Sequence, residues 1–84
     1  MKDQLRKFVV KDLLMIEPVE SVNDDDDLLL LGLNSLRIMR LVNFIEDHFN
    51  LTIPPQDVIP GHLKSLSRIE QLLRRLMDES TQKH

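Results

Sequence analysis

The chain has 84 residues, three aromatic side chains that are all phenylalanine, no cysteine, and a formal charge of −3 from 14 acidic and 11 basic groups. Without cysteine there is no disulfide framework, thiolate metal site or cysteine nucleophile, and without tyrosine or tryptophan there is little on which to stack nucleic-acid bases. The net charge has the wrong sign for general phosphate-backbone binding, and the length suits one small domain over residues 1–84 that carries or binds better than one that builds a buried catalytic constellation.

Leu5, Phe8, Val9, Leu13 and Ile16 recur at helical spacing and predict a first helix over about residues 3–15. Pro18 is expected to stop it. The stretch from Glu17 to Asp27 combines proline, serine, asparagine and four consecutive aspartates, a composition that favours a long solvated loop. Leu28 to Leu31, an apolar run that no other in the chain exceeds, is far short of the roughly 20 residues a membrane span needs, and the N-terminus has no signal-peptide core. A cytoplasmic protein without a membrane span is expected. The leucines read as loop residues tucked onto the core ahead of the turn-forming Gly32-Leu33-Asn34-Ser35.

From Ser35, the positions Ile38, Leu41, Val42, Ile45 and Phe49 form one apolar stripe and predict a second helix over about 35–49. Asn50 to Pro55 break that pattern, and Pro55 suits the first turn of a short third helix over Gln56 to Ile59, ended by Pro60-Gly61. Leu66, Ile69, Leu72, Leu73, Leu76 and Met77 mark a fourth helix from about 66 to 78, with Ser65 or Ser67 as its cap. The polar tail from Glu79 is expected to fray, which leaves an ordered part of about 3–78. Helices with single apolar stripes bury them only against one another. The expected fold is all-α, a small four-helix bundle with three long helices and a short third one.

The informative segment is Leu31-Gly32-Leu33-Asn34-Ser35-Leu36, where a loop turns into the second helix. A serine here sits among unpaired backbone amides at the positive end of the helix dipole, where a phosphodiester is electrostatically favoured, and Gly32 lets the chain turn in front of it. The segment resembles the Gly-x-Asp-Ser-Leu attachment motif of acyl carrier and peptidyl carrier proteins. The resemblance covers nearly the whole chain: an amphipathic first helix, a long acidic loop, the serine motif, then Phe49-x-x-x-Ile53-Pro54 and the stretch from Val58 to Leu66.

The resemblance implies that Ser35 receives 4'-phosphopantetheine from coenzyme A through a phosphopantetheinyl transferase. The arm would then carry acyl or aminoacyl groups as thioesters to loading and synthase enzymes of fatty acid, polyketide or nonribosomal peptide biosynthesis. It also implies that the chain itself catalyses nothing. Asn34 replaces the usual aspartate, and Arg37 and Arg40 stand where carriers of primary fatty acid synthesis typically show an acidic helix. A specialised pathway of secondary metabolism is therefore expected, with Asn34, Leu36, Arg37, Met39, Arg40 and Asn43 meeting partner enzymes.

Read without the resemblance, Ser35 or Asn34 is a helix cap, and Arg37, Arg40, Arg74 and Arg75 form the recognition surface of a small interaction or DNA-binding domain. Net charge argues against DNA. Asp24 to Asp27 do not fit a calcium loop, because Leu29 and Leu31 fall at ligand positions when the count starts at Asp27. His48, His62 and His84 lack the spacing of a helical metal pair, so no metal site is expected. The three long helices show no large leftover apolar face, and a monomer is expected.

Overall fold

The computed structural model describes residues 1–82. Its first helix starts as an α-helix, Lys2–Arg6, and continues without interruption as a π-helix, Lys7–Leu13; together these are α1. The long helix α2 spans Ser35–Phe49, the short α3 spans Pro60–Leu63, and α4 spans Leu66–Gln82. Single 3₁₀ turns lie at Val19–Ser21 and Pro55–Asp57. Among the described residues the fold is all-α, with three long helices and a short third one.

The wider turn of α1 follows from two apolar doublets. Val9 and Val10, then Leu13 and Leu14, are all buried together with Leu5. A regular α-helix would turn part of each doublet to solvent, whereas i→i−5 bonding brings both members inward. The amide of Leu14 donates to the Val9 carbonyl at 2.9 Å and closes such a turn. Val10 and Leu14 thus join the expected core, while Phe8 and Ile16 are only half-buried. The helix ends earlier than the predicted residue 15, because Met15 adopts a left-handed conformation with φ 57°.

The interior is closed by side chains from every helix. Leu5, Val9, Val10, Leu41, Ile45, Leu63, Leu66, Ile69 and Leu73 are fully buried, each contributing on the order of 1.5–3 kcal/mol by leaving water. Helix α1 packs against α4, α2 against the π-helical half of α1, and α3 against α4. Phe8 and Phe44 stack at 4.0 Å between ring centroids and join α1 to α2. His48 also stacks on Phe44, at 5.0 Å, and Phe49 meets the Phe44 and His48 rings edge-on.

The long connection from α1 to α2 is tethered rather than simply solvated. Arg6 reaches across it to the carbonyls of Val19 and Val22 and pairs with Asp24, which also accepts from Lys2 at 3.1 Å. The Ser67 amide donates to the Asp24 carbonyl at 3.0 Å, and the Leu28 amide donates to the Lys64 carbonyl at 2.7 Å. Of the acidic run, Asp25 is exposed, while Asp26 and Asp27 accept from the amides of Asn23 and Leu29. Only Leu28 and Leu33 of the leucine-rich turn enter the core; Leu29, Leu30 and Leu31 face solvent.

Two further expectations are corrected, and a choice between two caps is resolved. Residues 56–59 do not form the short third helix; the chain makes one 3₁₀ turn at Pro55–Asp57, and Pro60-Gly61 opens α3 instead of ending a helix. Proline is well placed there, since the first helical position needs no amide donor, and the preceding Ile59 is extended as proline requires. Ser65 caps α4 by accepting from the Arg68 amide at 3.1 Å, so Ser67 is not the cap. The helix does not fray at Glu79 but continues to Gln82, with no proline or glycine to stop it and an Arg75–Glu79 pair at 3.3 Å across one turn. The last part of the expected frayed tail, Lys83 and His84, lies outside the described residues.

Candidate functional site around Ser35

Two residues divide the work at the start of α2. Asn34 adopts an extended conformation, with φ −129° and ψ −179°, and its side-chain oxygen accepts from the Arg37 amide at 2.9 Å. Asn34 is therefore the cap, and Ser35 is the first helical residue. Its side chain is exposed and makes no hydrogen bond among the described residues. The free amides of the first turn and the positive end of a 15-residue helix surround it. Such a position favours a phosphate without further machinery.

The loop in front of Ser35 is shaped by Gly32, whose φ of +117° is open to glycine and strained for other residues. Leu33 anchors the loop, buried and bonded through its amide to the Leu28 carbonyl at 2.9 Å. Beyond Ser35, Leu36 and Met39 are 70% and 65% exposed, and Arg40 and Asn43 are exposed beside them in sequence. Arg37 differs: it is half-buried, and Nη1 donates to the Gly32 carbonyl at 2.7 Å.

Among the described residues, five of the seven exposed large apolar side chains, Leu29, Leu30, Leu31, Leu36 and Met39, fall within the eleven residues that bracket Ser35. Between Asp27 and Glu46 there is no acidic residue. The segment around the serine is therefore apolar and basic in a chain that is acidic as a whole.

Three of the four arginines of the alternative recognition surface are already engaged within the chain. Arg75 pairs with Asp57 at 2.8 Å and with Glu79, Arg74 with Glu70 at 3.6 Å, and Arg37 is bound to Gly32. Of the four arginines only Arg40 is without an ion pair or side-chain hydrogen bond among the described residues. The bond to Asp57 raises the pKa of Arg75 further above its ordinary value. The buried Asp57 and its neighbour His62, whose Nδ1 lies 3.1 Å from the Asp57 carbonyl, join the Pro55–Asp57 turn and α3 to α4. This cluster was not foreseen from sequence, where nothing marks Asp57 as a residue that will be buried.

An open cleft of about 560 Å³ lies between α1 and the segment from Glu17 to Glu20, lined by Lys7, Lys11, Glu17, Pro18, Val19 and Glu20. No residue of α2 takes part in it. Among the described residues no three histidine, aspartate or glutamate side chains gather into a metal cage, and no helix is long and apolar enough to cross a membrane.

The family model for the phosphopantetheine attachment site matches residues 4–76. The chain belongs to that family. It is a carrier, not an enzyme, and its prosthetic group is 4'-phosphopantetheine.

Solved structures agree on the fold. One similar chain comes from an engineered Bradyrhizobium japonicum glycine:[carrier protein] ligase complexed with a carrier protein from Agrobacterium tumefaciens and AMP. There the TM-score is 0.76 at 24% identity over 88% of this chain and 99% of that one. A second comes from the Bradyrhizobium japonicum ligase with its cognate carrier protein and an analogue of glycyl adenylate, with a TM-score of 0.71 at 23% identity over 88% and 96% of the two chains. A third, from the same ligase with glycylated carrier protein, has a TM-score of 0.68 at 24% identity over 84% and 96%. No curated protein sequence matches the chain closely enough to count as a relative.

The residues present fit the phosphopantetheine arm. A hydroxyl at the first helical position, exposed and relieved of capping by Asn34, has room for a bulky phosphodiester and unpaired amides to receive its charge.

Proposed function

We propose that Ser35 is the residue that carries phosphopantetheine, and that the chain presents small aminoacyl or acyl groups to partner enzymes. The observation that carries this reading is the division between Asn34 and Ser35: the cap is supplied by one residue and the free hydroxyl by the next. In the attachment step, which a transferase catalyses, Ser35 Oγ forms a bond to the pantetheine-bearing phosphorus of coenzyme A. The pyrophosphate bond breaks, adenosine 3',5'-bisphosphate leaves, and the hydroxyl proton passes to a base of the transferase. Once bound, the arm supplies a terminal thiol that holds the carried group as a thioester.

The chain's own residues hold and expose this attachment point. The first-turn amides of α2 that the Asn34 cap leaves open face the phosphate, and Gly32 and Leu33 fix the approach of the loop. Leu36, Met39, Arg40 and Asn43 form the exposed surface on which a transferase and a loading enzyme meet the carrier, with Asn34 at its edge as the cap and Arg37 beneath. The similar folds belong to carriers paired with a glycine ligase, which supports an aminoacyl cargo loaded by an adenylate-forming enzyme. The same surface, apolar and without acidic groups, supports a specialised pathway over primary fatty acid synthesis. The carrier works as a monomer in the cytoplasm.

Intact mass after incubation with coenzyme A and a promiscuous phosphopantetheinyl transferase tests the site. A single phosphopantetheine adduct is expected on the wild type and none on Ser35→Ala. A folded wild-type protein that stays unmodified with several transferases would return Ser35 to an ordinary surface position. Offering the loaded protein amino acids or fatty acids, each with ATP and a matching ligase, then tests the cargo. Uptake of long fatty acids alone would overturn the aminoacyl assignment.

A further inference from the structure

The guanidinium of Arg37 turns back along the chain instead of reaching out from α2. Its Nη1 donates to the Gly32 carbonyl at 2.7 Å, while the amide of the same residue donates to Asn34 Oδ1 at 2.9 Å. Two bonds to one residue thus close the chain from Gly32 to Arg37 into a ring, and Ser35 lies within it. Gly32 completes the fit: its φ is +117°, and a Cβ there would stand 3.1 Å from Arg37 Nη1. The guanidinium therefore occupies space that a side chain at position 32 would need.

We propose that Arg37 is a positioning residue for the modification of Ser35, a clasp that holds the loop in front of the serine so that the hydroxyl meets the transferase in one orientation. The inference rests on the reading of Ser35 as the attachment residue. A loop that leads into a helix N-terminus samples several approaches unless it is tied down, and misplacing a reacting atom by about 1 Å costs up to about 10²-fold in rate. Arginine suits the task because its planar fork directs donors along fixed lines, whereas a lysine ammonium is a compact point charge on a flexible stem. A docking role would need the charge in solvent. Arg40, exposed and without an ion pair among the described residues, supplies the comparison.

The test compares Arg37→Met, Arg37→Lys and Arg40→Met. Two readouts are used: steady-state transfer from coenzyme A by a phosphopantetheinyl transferase at low and high salt, and amide hydrogen exchange of the apo proteins. Arg37→Met is expected to lower kcat by about 10-fold at both salt concentrations. It should speed exchange at Leu33 and its neighbours and leave exchange in α4 as in the wild type. Arg37→Lys should recover part of the loss, and Arg40→Met should change KM alone, in a salt-sensitive manner. The clasp is overturned if Arg37→Met loads at the wild-type rate, if its defect lies in KM and disappears at high salt, or if exchange quickens evenly through the chain. Absence of any adduct on the wild type would instead sink the attachment reading and this inference with it. An adduct that forms equally well on wild type and Arg37→Met would sink only the clasp.

Discussion

The Asn34 side chain accepts from the Arg37 amide at 2.9 Å, so the cap of α2 lies one residue before Ser35. The geometry separates two tasks that the sequence allowed one serine to perform. Asn34→Ala is expected to destabilise the protein by about 1 kcal/mol, whereas Asn34→Asp keeps the acceptor and adds a charge that the helix dipole favours. Denaturant unfolding should rank the aspartate variant level with the wild type or above it. An alanine variant as stable as the wild type would show that the cap contributes nothing.

Buried and exposed apolar residues of α2 should separate cleanly. Ile45 is fully buried, and Ile45→Ala should cost about 2–5 kcal/mol through lost transfer energy and the cavity left behind. Leu36 is 70% exposed, and Leu36→Ser should stay within about 0.5 kcal/mol of the wild type while weakening transfer of phosphopantetheine. If Leu36→Ser unfolds the protein, its side chain is structural and the proposed docking surface loses its centre.

The ion pairs of α1 give the stability a dependence on alkaline pH. The side-chain hydrogen bond to Asp24, with smaller contributions from the charges of Asp24 and Glu70, raises the pKa of Lys2 above its ordinary value of 10.5. A group whose pKa is raised by folding stabilises fully below its unfolded value, and that contribution fades as pH rises through the folded value. Lys2→Met should therefore melt slightly below the wild type at neutral pH, and the gap should close above pH 10.5. Melting curves across that range check it; a gap that widens with pH would contradict the pairing.

Met15 offers a gain in stability. It holds φ at 57° with its side chain 79% exposed, so it bears the strain of a left-handed conformation with little burial in return. Met15→Gly should raise stability by up to about 1 kcal/mol, read as a higher unfolding midpoint. A lower midpoint would mean that the methionine packs in a way its exposure conceals.

The parts of the fold that sequence displayed were those with one unbroken stripe and one clear stop. For α2, the apolar positions from Ile38 to Phe49 and the left-handed Asn50 mark the observed bounds. The stripe was less decisive about depth, since Ile38 and Val42 are only half-buried where Leu41 and Ile45 are fully so. The π-helical half of α1 was hidden because adjacent apolar residues read as a broad α-helical face. Pro60-Gly61 misled because proline marks a helix start as readily as a stop, and the choice depends on whether the following residues find partners. At the site, the serine, its glycine and the exposed leucine were legible from their types. The inward turn of Arg37 was not, because a side-chain bond to a carbonyl five residues back leaves no periodic trace.

The bonds from the Leu28 amide to the Lys64 carbonyl and from the Ser67 amide to the Asp24 carbonyl fasten the loop before α2 to the junction between α3 and α4. A group joined at Ser35, as proposed, would therefore stand on a loop tied to the bundle. With the base so fixed, any reach between partner enzymes would have to come from the flexibility of the attached chain and from tumbling of the whole carrier. Lengthening the protein loop would then extend no cargo further; it would only loosen the mount from which the arm swings.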